Sequence, residues 1–140
     1  MQLSRRQKQI LIGKILGDGC LEKNGNFVRL RVDHGESQKK YVFWLYQEFF
    51  PLVTRLPSYH GFFHKKRRKI YYHWRFDTRS LPIFSYWRNQ FYCERGKFVP
   101  ETIYQYLNDP LSLAVWYMDD GFRRQDCRGV YLCTSGFSEK

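Results

Sequence analysis

The 140-residue chain lacks a long hydrophobic run, and its first residues lack the apolar segment of a secretory signal peptide. Crossing a bilayer as a helix takes about 20 consecutive apolar residues, so we expect no membrane-spanning helix and no membrane partner. Without a signal segment, secretion is not expected either. These absences predict a soluble, intracellular protein, although they do not distinguish an organelle from a bacterial or phage cytoplasm.

Closely spaced cysteines are also missing, although the chain has four of them: Cys20, Cys93, Cys127 and Cys133. Zinc sites commonly use Cys-x-x-Cys pairs, and the chain contains none. His60, His64 and His73 could complete a ligand set, but the spacings match no zinc pattern. We therefore expect free thiols that are buried or half-buried, with zinc binding as the less favoured alternative.

Acidic residues are scarce, because 13 Asp and Glu stand against 24 Lys and Arg, giving a net charge of +11. Such an excess of positive charge predicts a polyanionic partner. The basic residues are spread along predicted strands and loops instead of forming a tail, which favours nucleic acid over a membrane surface. Hydrophobic residues make up 43% of the chain and aromatic residues 19%, enough for one real core.

Apolar periodicity and turn residues predict alternating helices and hairpins. Ser4 can cap the first helix, the Asn-Gly step at residues 24–25 predicts a tight hairpin, and Pro51 ends the second helix. The predicted helices cover residues 7–17, 37–50 and 81–91, and the predicted strands cover residues 20–22, 27–33, 59–65 and 70–78. The predicted fold is therefore α+β, with one complete αββαββα unit.

After this unit the predicted order of helix and strand begins again. A polar link at 93–97, a short helix at 100–107, a second apolar helix and a strand at 129–134 are predicted in turn. We therefore divide the chain into a first half with its linker, residues 1–109 (linker 93–109), and the start of a second half, residues 110–140. A full second unit would need at least about half of the 100–150 residues typical of a domain, yet only 20 residues follow Asp120, so the chain is expected to be a fragment or the first piece of a longer or split protein.

An acidic-glycine step closes an apolar helical run twice, at residues 11–19 and 113–121. One such run alone is typical of an ordinary buried helix with a glycine C-cap. However, Asp18 and Asp120 would each lie at the negative end of a helix dipole, where a compensating cation is expected. Two copies could share divalent cations at a pseudo-two-fold interface, an arrangement suited to cutting phosphodiesters.

At this point the sequence resembles the LAGLIDADG homing endonucleases, specifically those with two motifs in one chain. The matching positions are Leu11, Gly13, Ile15, Asp18 and Gly19 in the first copy and Leu113, Ala114, Asp120 and Gly121 in the second. Residues 97–100 and 111–121 resemble the junction between the two halves. The departures are Lys14, Leu16, Gly17, Val115, Trp116, Met118 and Asp119, mainly at helix-packing positions.

The resemblance implies a catalytic site at the helix ends. Asp18 and Asp120 are the expected catalytic ligands of Mg²⁺ or another divalent cation, with Gly13 and Gly17 letting the helices approach. Lys97 matches the basic residue that the family places near the active-site water, although a solvated loop lysine is the alternative. Asp119 is expected to be a solvated or capping carboxylate and not a ligand.

Several polar residues on predicted strands are expected to contact DNA. They are Arg29, Arg31, Tyr71, His73 and Arg75, on faces opposite the apolar positions of their strands. A curved antiparallel sheet can lie in the major groove, where arginine reads guanine. A run of five bases at the second hairpin turn, Lys65, Lys66, Arg67, Arg68 and Lys69, is expected to grip phosphates. The alternative for both sets is an ordinary solvated surface.

The leading hypothesis is a site-specific endonuclease that cuts double-stranded DNA, with the isolated chain inactive until a C-terminal half or a second chain completes it. An RNA-splicing maturase that binds intron RNA, or a DNA-binding protein of the same fold that does not cut, is the alternative. A basic RNA-binding α/β domain without an enzymatic history is a third hypothesis, but it treats both motifs and Lys97 as coincidence.

Overall fold

The structure is a computed structural model that describes residues 1–138, so Glu139 and Lys140 of the predicted second half lie outside the described residues. The first half has the predicted order αββαββα. Its elements are α1 (Arg5–Leu16), β1 (Cys20–Asn24), β2 (Phe27–Gly35), α2 (Lys39–Glu48), β3 (Ser58–His64), β4 (Lys69–Asp77) and α3 (Pro82–Phe91). The mixed α+β fold with an antiparallel sheet is therefore confirmed.

The N-terminus of α1 is fixed by a capping box. The Ser4 hydroxyl accepts from the Gln7 backbone N–H at 3.1 Å, and the Ser4 N–H donates to the Gln7 side chain at 3.0 Å. This confirms the predicted cap, although the helix begins two residues earlier than predicted. None of the helices in residues 1–138 is long and apolar enough to cross a membrane.

The four strands of the first half form one antiparallel sheet in the order β1-β2-β4-β3. On its helix-facing side Val28, Leu30 and Val32 are almost fully buried, which confirms the alternation predicted for this strand. The outer part of the second hairpin differs, because Ile70 and Tyr72 remain about half exposed. There the strands extend beyond the helical layer, so only one end of the hairpin contributes to the core.

The segment after α3 contains more structure than the sequence predicts. Strands β5 (Tyr92–Cys93) and β6 (Gly96–Lys97) form a small hairpin where a polar link was expected. Gly96 has a φ of +115° in its turn, a backbone conformation that favours glycine. The short helix predicted at 100–107 is a 3₁₀ helix over Glu101–Gln105.

The second motif forms α4 (Pro110–Asp120), which the Asp109 side chain caps. It leads directly into β7 (Gly121–Arg123), which pairs with β8 (Val130–Leu132). The predicted strand at 129–134 is thus shorter than expected, and it has a preceding partner that the sequence did not reveal. Both strands have only three residues.

All four cysteines are free thiols, but the expectation that they are buried or half-buried is wrong for three of them. Cys20, Cys127 and Cys133 are exposed, whereas Cys93 is half-buried. Cys20 is exposed because it begins the edge strand β1. Cys127 lies in the loop between β7 and β8, and Cys133 directly follows β8.

Candidate active site

Helices α1 and α4 pack so closely that two contact positions accept only glycine. A Cβ atom added to Gly13 would lie 2.5 Å from the Ser112 carbonyl oxygen, and one added to Gly17 would lie 2.5 Å from the Asp119 Cβ. The Ser112 hydroxyl also donates to the Gln9 carbonyl at 2.8 Å. The expectation that Gly13 and Gly17 let the motif helices approach is therefore confirmed, and the approach brings the C-terminal ends of the helices together.

The two motif aspartates lie at these adjacent ends, Asp18 just after α1 and Asp120 as the last residue of α4. Partial burial, together with the hydrogen bond and the negative charge of Asp120, raises the pKa of Asp18 to about 6. Within residues 1–138 no lysine or arginine forms an ion pair with either carboxylate. The site therefore brings two carboxylates together, neither of which forms an ion pair with a lysine or arginine among the described residues.

The residue before Asp120 plays a different role from the one expected. The Asp119 side chain is fully buried, and its carboxylate accepts from the Lys14 ammonium at 2.8 Å, with the Lys14 side chain also fully buried. It further accepts from the Tyr41 hydroxyl and from the Asp18 backbone N–H, both at 2.9 Å. Of the two alternatives predicted for Asp119, a solvated or a capping carboxylate, the solvated one is thus wrong, since this buried side chain joins the second motif to the backbone of the first.

His34 completes this buried network from strand β2. Its Nε2 lies 2.8 Å from the Lys14 Nζ, and because an ammonium can only donate, Nε2 must accept. Burial, followed by the charge of Lys14, lowers the pKa of His34 to about 4, so the ring is neutral at neutral pH. Burial also raises the pKa of Tyr41, and the negative charge of Asp119 acts in the same direction. Both side chains are therefore held in their neutral forms beneath the motif aspartates.

Lys97 reaches the site from strand β6. Its ammonium donates to the carbonyl oxygens of Gly17 and Gly19, at 2.8 and 2.6 Å, and so holds the backbone on both sides of Asp18. Burial lowers the pKa of Lys97. An ammonium has three N–H donors, so one remains for another acceptor. The structure therefore places this predicted residue beside the motif loop.

The residues predicted to contact DNA lie on the sheet face opposite the helices and at the hairpin tip. Arg29, Arg31 and Arg75 are half-buried on that face, and each contacts a carboxylate on a neighbouring strand. Tyr71 and His73 lie on the same face of β4. The five basic residues Lys65, Lys66, Arg67, Arg68 and Lys69 are all exposed at the tip of the β3–β4 hairpin.

Sequence reasoning missed three members of the site, namely Lys14, His34 and Tyr41. The only sign of Lys14 was its departure from the motif pattern, since a lysine within an apolar run is normally expected at the surface. His34 follows the alternation of β2 into the core, which the strand pattern could have indicated. Tyr41 had no local signal beyond its place in an apolar helix.

Comparison with known proteins places this geometry in a family. Residues 8–140 match the LAGLIDADG DNA endonuclease family. The chain belongs to this family, so the resemblance of the two motifs is confirmed.

Particular relatives are longer than the chain. It is 33% identical over 139 residues to protein RecA of Mycobacterium shimoidei, covering 97% of the chain and 30% of that protein. It is 29% identical over 151 residues to DNA endonuclease I-ChuI of Chlamydomonas applanata, covering 99% of the chain and 69% of the endonuclease. With cytochrome b mRNA maturase bI2 of Debaryomyces hansenii, identity is 29% over 141 residues, covering 97% of the chain and 52% of the maturase.

Among solved structures, the fold is similar to the homing endonuclease I-WcaI bound to its DNA recognition sequence. The TM-score is 0.80 with 25% sequence identity, over 88% of the chain and 54% of I-WcaI. The chain thus spans about half of this neighbour and less than a third of the RecA protein.

Proposed function

We propose that the chain is part of a site-specific endonuclease that hydrolyses both strands of DNA, with Asp18 and Asp120 as its catalytic carboxylates. The observation that carries the proposal is the meeting of these two side chains at the ends of the closely packed motif helices. Asp120 and partial burial together raise the pKa of Asp18 to about 6, a perturbation typical of functional sites. The family and the DNA-bound structural neighbour support the same activity.

The donor atoms suit a divalent cation. Two neighbouring carboxylates that repel each other, without a paired lysine or arginine in residues 1–138, are the hard oxygen ligands that Mg²⁺ prefers. Asp18 and Asp120 are the residues that would hold it. When bound, the ion would stabilise the negative charge that develops on the scissile phosphate.

The surrounding residues position these carboxylates. Asp119 accepts the Asp18 N–H, and Lys97 holds the carbonyls of Gly17 and Gly19, so the first motif loop is held from two directions. The remaining N–H of the Lys97 ammonium can donate to an attacking water or to a phosphate oxygen. Lys97 is therefore assigned a supporting role in cleavage, secondary to that of the two aspartates.

Double-stranded DNA is the proposed partner of the open sheet face. Arg29, Arg31, Tyr71, His73 and Arg75 would face the major groove, because a curved antiparallel sheet can lie in it. The exposed lysine and arginine side chains at residues 65–69 would neutralise DNA phosphates. The net charge of +11 supports binding that weakens as the salt concentration rises.

We assign residues 1–109 to the first half of the enzyme and residues 110–140 to the start of the second. Besides α4, the second half contributes only the three-residue strands β7 and β8 within residues 1–138, too little sheet for a second half-site. The isolated chain is accordingly expected to bind one half-site without cutting. A C-terminal half or a second chain is the partner that would restore cleavage.

The test uses the chain together with its C-terminal partner segment, supplied fused or in trans, in Mg²⁺. We expect Asp18→Asn and Asp120→Asn each to reduce cleavage by at least about a hundredfold while duplex binding is retained. Lys97→Met should slow cleavage less. Glu101→Gln, at an exposed carboxylate, is the matched control and should cut normally. Full cleavage by Asp120→Asn, or specific cutting by the isolated monomer, would contradict the assignment.

The second candidate is an RNA-splicing maturase, which the similarity to maturase bI2 favours. A maturase would retain intron RNA in preference to duplex DNA, whereas an endonuclease would select a duplex sequence. Competition between the two nucleic acids for the chain distinguishes them. The presence of both motif aspartates makes the endonuclease the first candidate.

A further inference from the structure

The sheet face proposed to meet DNA is less basic than its arginines suggest. Arg29 and Arg31 lie between the carboxylates of Glu22 and Asp77 in one cluster of four charges. Arg75 lies beside Asp33 at 2.5 Å. Because each cation here has an anion beside it, neither group carries a net charge.

The register of the sheet produces these pairs. Glu22 lies directly opposite Arg29 across β1 and β2, and Arg31 lies opposite Asp77 across β2 and β4. Asp33 lies opposite Arg75 in the same register. Opposite charges in directly facing positions stabilise each other, so the arginines are held by the sheet itself.

Pairing with two carboxylates leaves part of the hydrogen-bonding capacity of Arg31 free. Its Nε and one terminal nitrogen donate to Asp77 at 2.9 and 3.2 Å, and the other terminal nitrogen donates to Glu22 at 3.1 Å. A guanidinium has five N–H donors, so two remain, one on each terminal nitrogen. Guanine presents two acceptors, O6 and N7, in the major groove. The number of free donors on Arg31 therefore matches a guanine edge.

The hairpin tip is different. The basic residues 65–69 form no ion pair with a carboxylate anywhere in the described part of the chain. The Arg67 guanidinium donates to the Tyr71 hydroxyl, and the Lys69 ammonium lies over the Tyr71 ring. Side chains without an anionic partner can reorient toward any nearby phosphate, whereas the arginines paired with carboxylates cannot.

We propose that Glu22, Asp33 and Asp77 determine the sequence specificity of this face by holding Arg29, Arg31 and Arg75 in orientations that read guanine edges. The inference rests on the proposed DNA-binding function. The carboxylates act as positioning residues because they remove the rotamer freedom of the arginines. They also repel phosphates, which weakens binding to DNA in any other register or sequence.

Two isosteric variants test the proposal separately, Asp33→Asn and Asp77→Asn. Each removes one negative charge from the face and leaves its arginine in place. Binding to a random-sequence duplex should become about three- to tenfold tighter, and the slope of log K against log salt should steepen by about 0.9, because the released arginine gains a phosphate contact. In selection from a randomised duplex library, discrimination at the affected base pairs should fall by roughly fivefold or more.

Glu48→Gln is the matched control. It removes the same charge from the helical layer, where Glu48 pairs with Arg6 at 2.7 Å. The control should leave the salt slope and the selected sequence unchanged. Equal effects from Glu48→Gln and Asp77→Asn would mean that net charge alone acts, and the inference would then be wrong.

A double variant separates positioning from direct base reading. If Asp33 acts through Arg75, the effect of Asp33→Asn on discrimination should disappear in an Arg75→Ala background. A persisting effect would mean that Asp33 acts through His73, whose Nδ1 lies 3.0 Å from its carboxylate, or contacts a base itself, and either result contradicts the inference for Arg75. If the unaltered chain selects no duplex sequence, the proposed DNA-binding function fails along with it. If the unaltered chain selects a duplex sequence and neither variant changes that selection, the inference alone fails.

Discussion

Removing one partner of the Lys14–Asp119 pair should destabilise the fold more than most single substitutions. Lys14→Met leaves a fully buried carboxylate without its cation, although the Tyr41 hydroxyl and the Asp18 N–H still donate to it. Asp119→Asn leaves the opposite defect, a buried ammonium without an anion. Each change therefore exposes the desolvation cost that the pair normally offsets.

The expected loss is about 3–5 kcal/mol in the free energy of unfolding for each single variant. This is a large part of the roughly 5–15 kcal/mol that stabilises a typical domain. Combining Lys14→Met with Asp119→Asn should cost less than the sum of the two single losses, because no unpaired charge remains. We expect the double-variant cycle to give a coupling energy of about 1–3 kcal/mol.

Urea unfolding at neutral pH, followed by circular dichroism and tryptophan fluorescence, measures these quantities. Arg6→Met is the control, because Arg6 pairs with Glu48 at the surface and its removal should barely shift the midpoint. If Lys14→Met costs no more than this control, the buried pair does not stabilise the fold. Strictly additive single variants would likewise refute the argument.

Two further predictions concern the same region. Gly17→Ala should lower the free energy of unfolding by about 1–3 kcal/mol, because the added Cβ would collide with the Asp119 side chain. A Cβ added to Gly35 would have no atom within 4 Å, so Gly35→Ala should change the free energy of unfolding by less than about 0.5 kcal/mol. Thermal unfolding of both variants measures the difference, and equal midpoints would contradict the prediction. The pKa of His34 falls from 6.5 to about 4 on folding, so the unfolded chain binds this proton more readily and the contribution of His34 to stability should drop by about 2 kcal/mol between pH 7.5 and pH 5. The raised pKa of Asp18 acts in the opposite direction over the same range, so the His34 contribution is obtained as the difference from a His34→Gln variant. His34→Gln should lack that part of the pH dependence in urea unfolding at the two pH values, and an unchanged pH dependence would exclude His34 as its source.

The sequence predicts the first half well because local signals agree there. Alternation at residues 27–33, the Asn-Gly turn and the Ser4 cap each depend on neighbouring residues, and the structure confirms all three. The later elements were predicted less accurately. Strand β7 has only three residues, and the 3₁₀ helix at Glu101–Gln105 shows the same apolar spacing as a short α-helix.

The candidate site is only partly predictable, for a physical reason. The two motifs indicate Asp18 and Asp120 because the helix-glycine pattern is local. The burial of Lys14 depends on Asp119, which lies 105 positions away, and no periodicity connects the two residues. Helix α1 is buried on all sides from Ile10 to Leu16, so an amphipathic pattern cannot show which neighbour Lys14 meets.

The arginine clamps show the same limit. Asp33 and Asp77 were visible on the polar sides of their strands, but their pairing with Arg75 and Arg31 depends on the register of β2 against β4. A shift of one residue would turn these side chains to the opposite face. Register is fixed by the whole sheet, so it could not be inferred from either strand.

The buried contact between the two motifs also limits which halves can be exchanged between family members. A first half with lysine four positions before its motif aspartate, as Lys14 stands before Asp18, needs an acid immediately before the aspartate of its partner half, as Asp119 stands before Asp120. A hybrid that lacks this acid would enclose a lone ammonium at the junction. The residues at the positions of Lys14 and Asp119 therefore indicate which first and second halves are compatible when hybrid proteins are assembled.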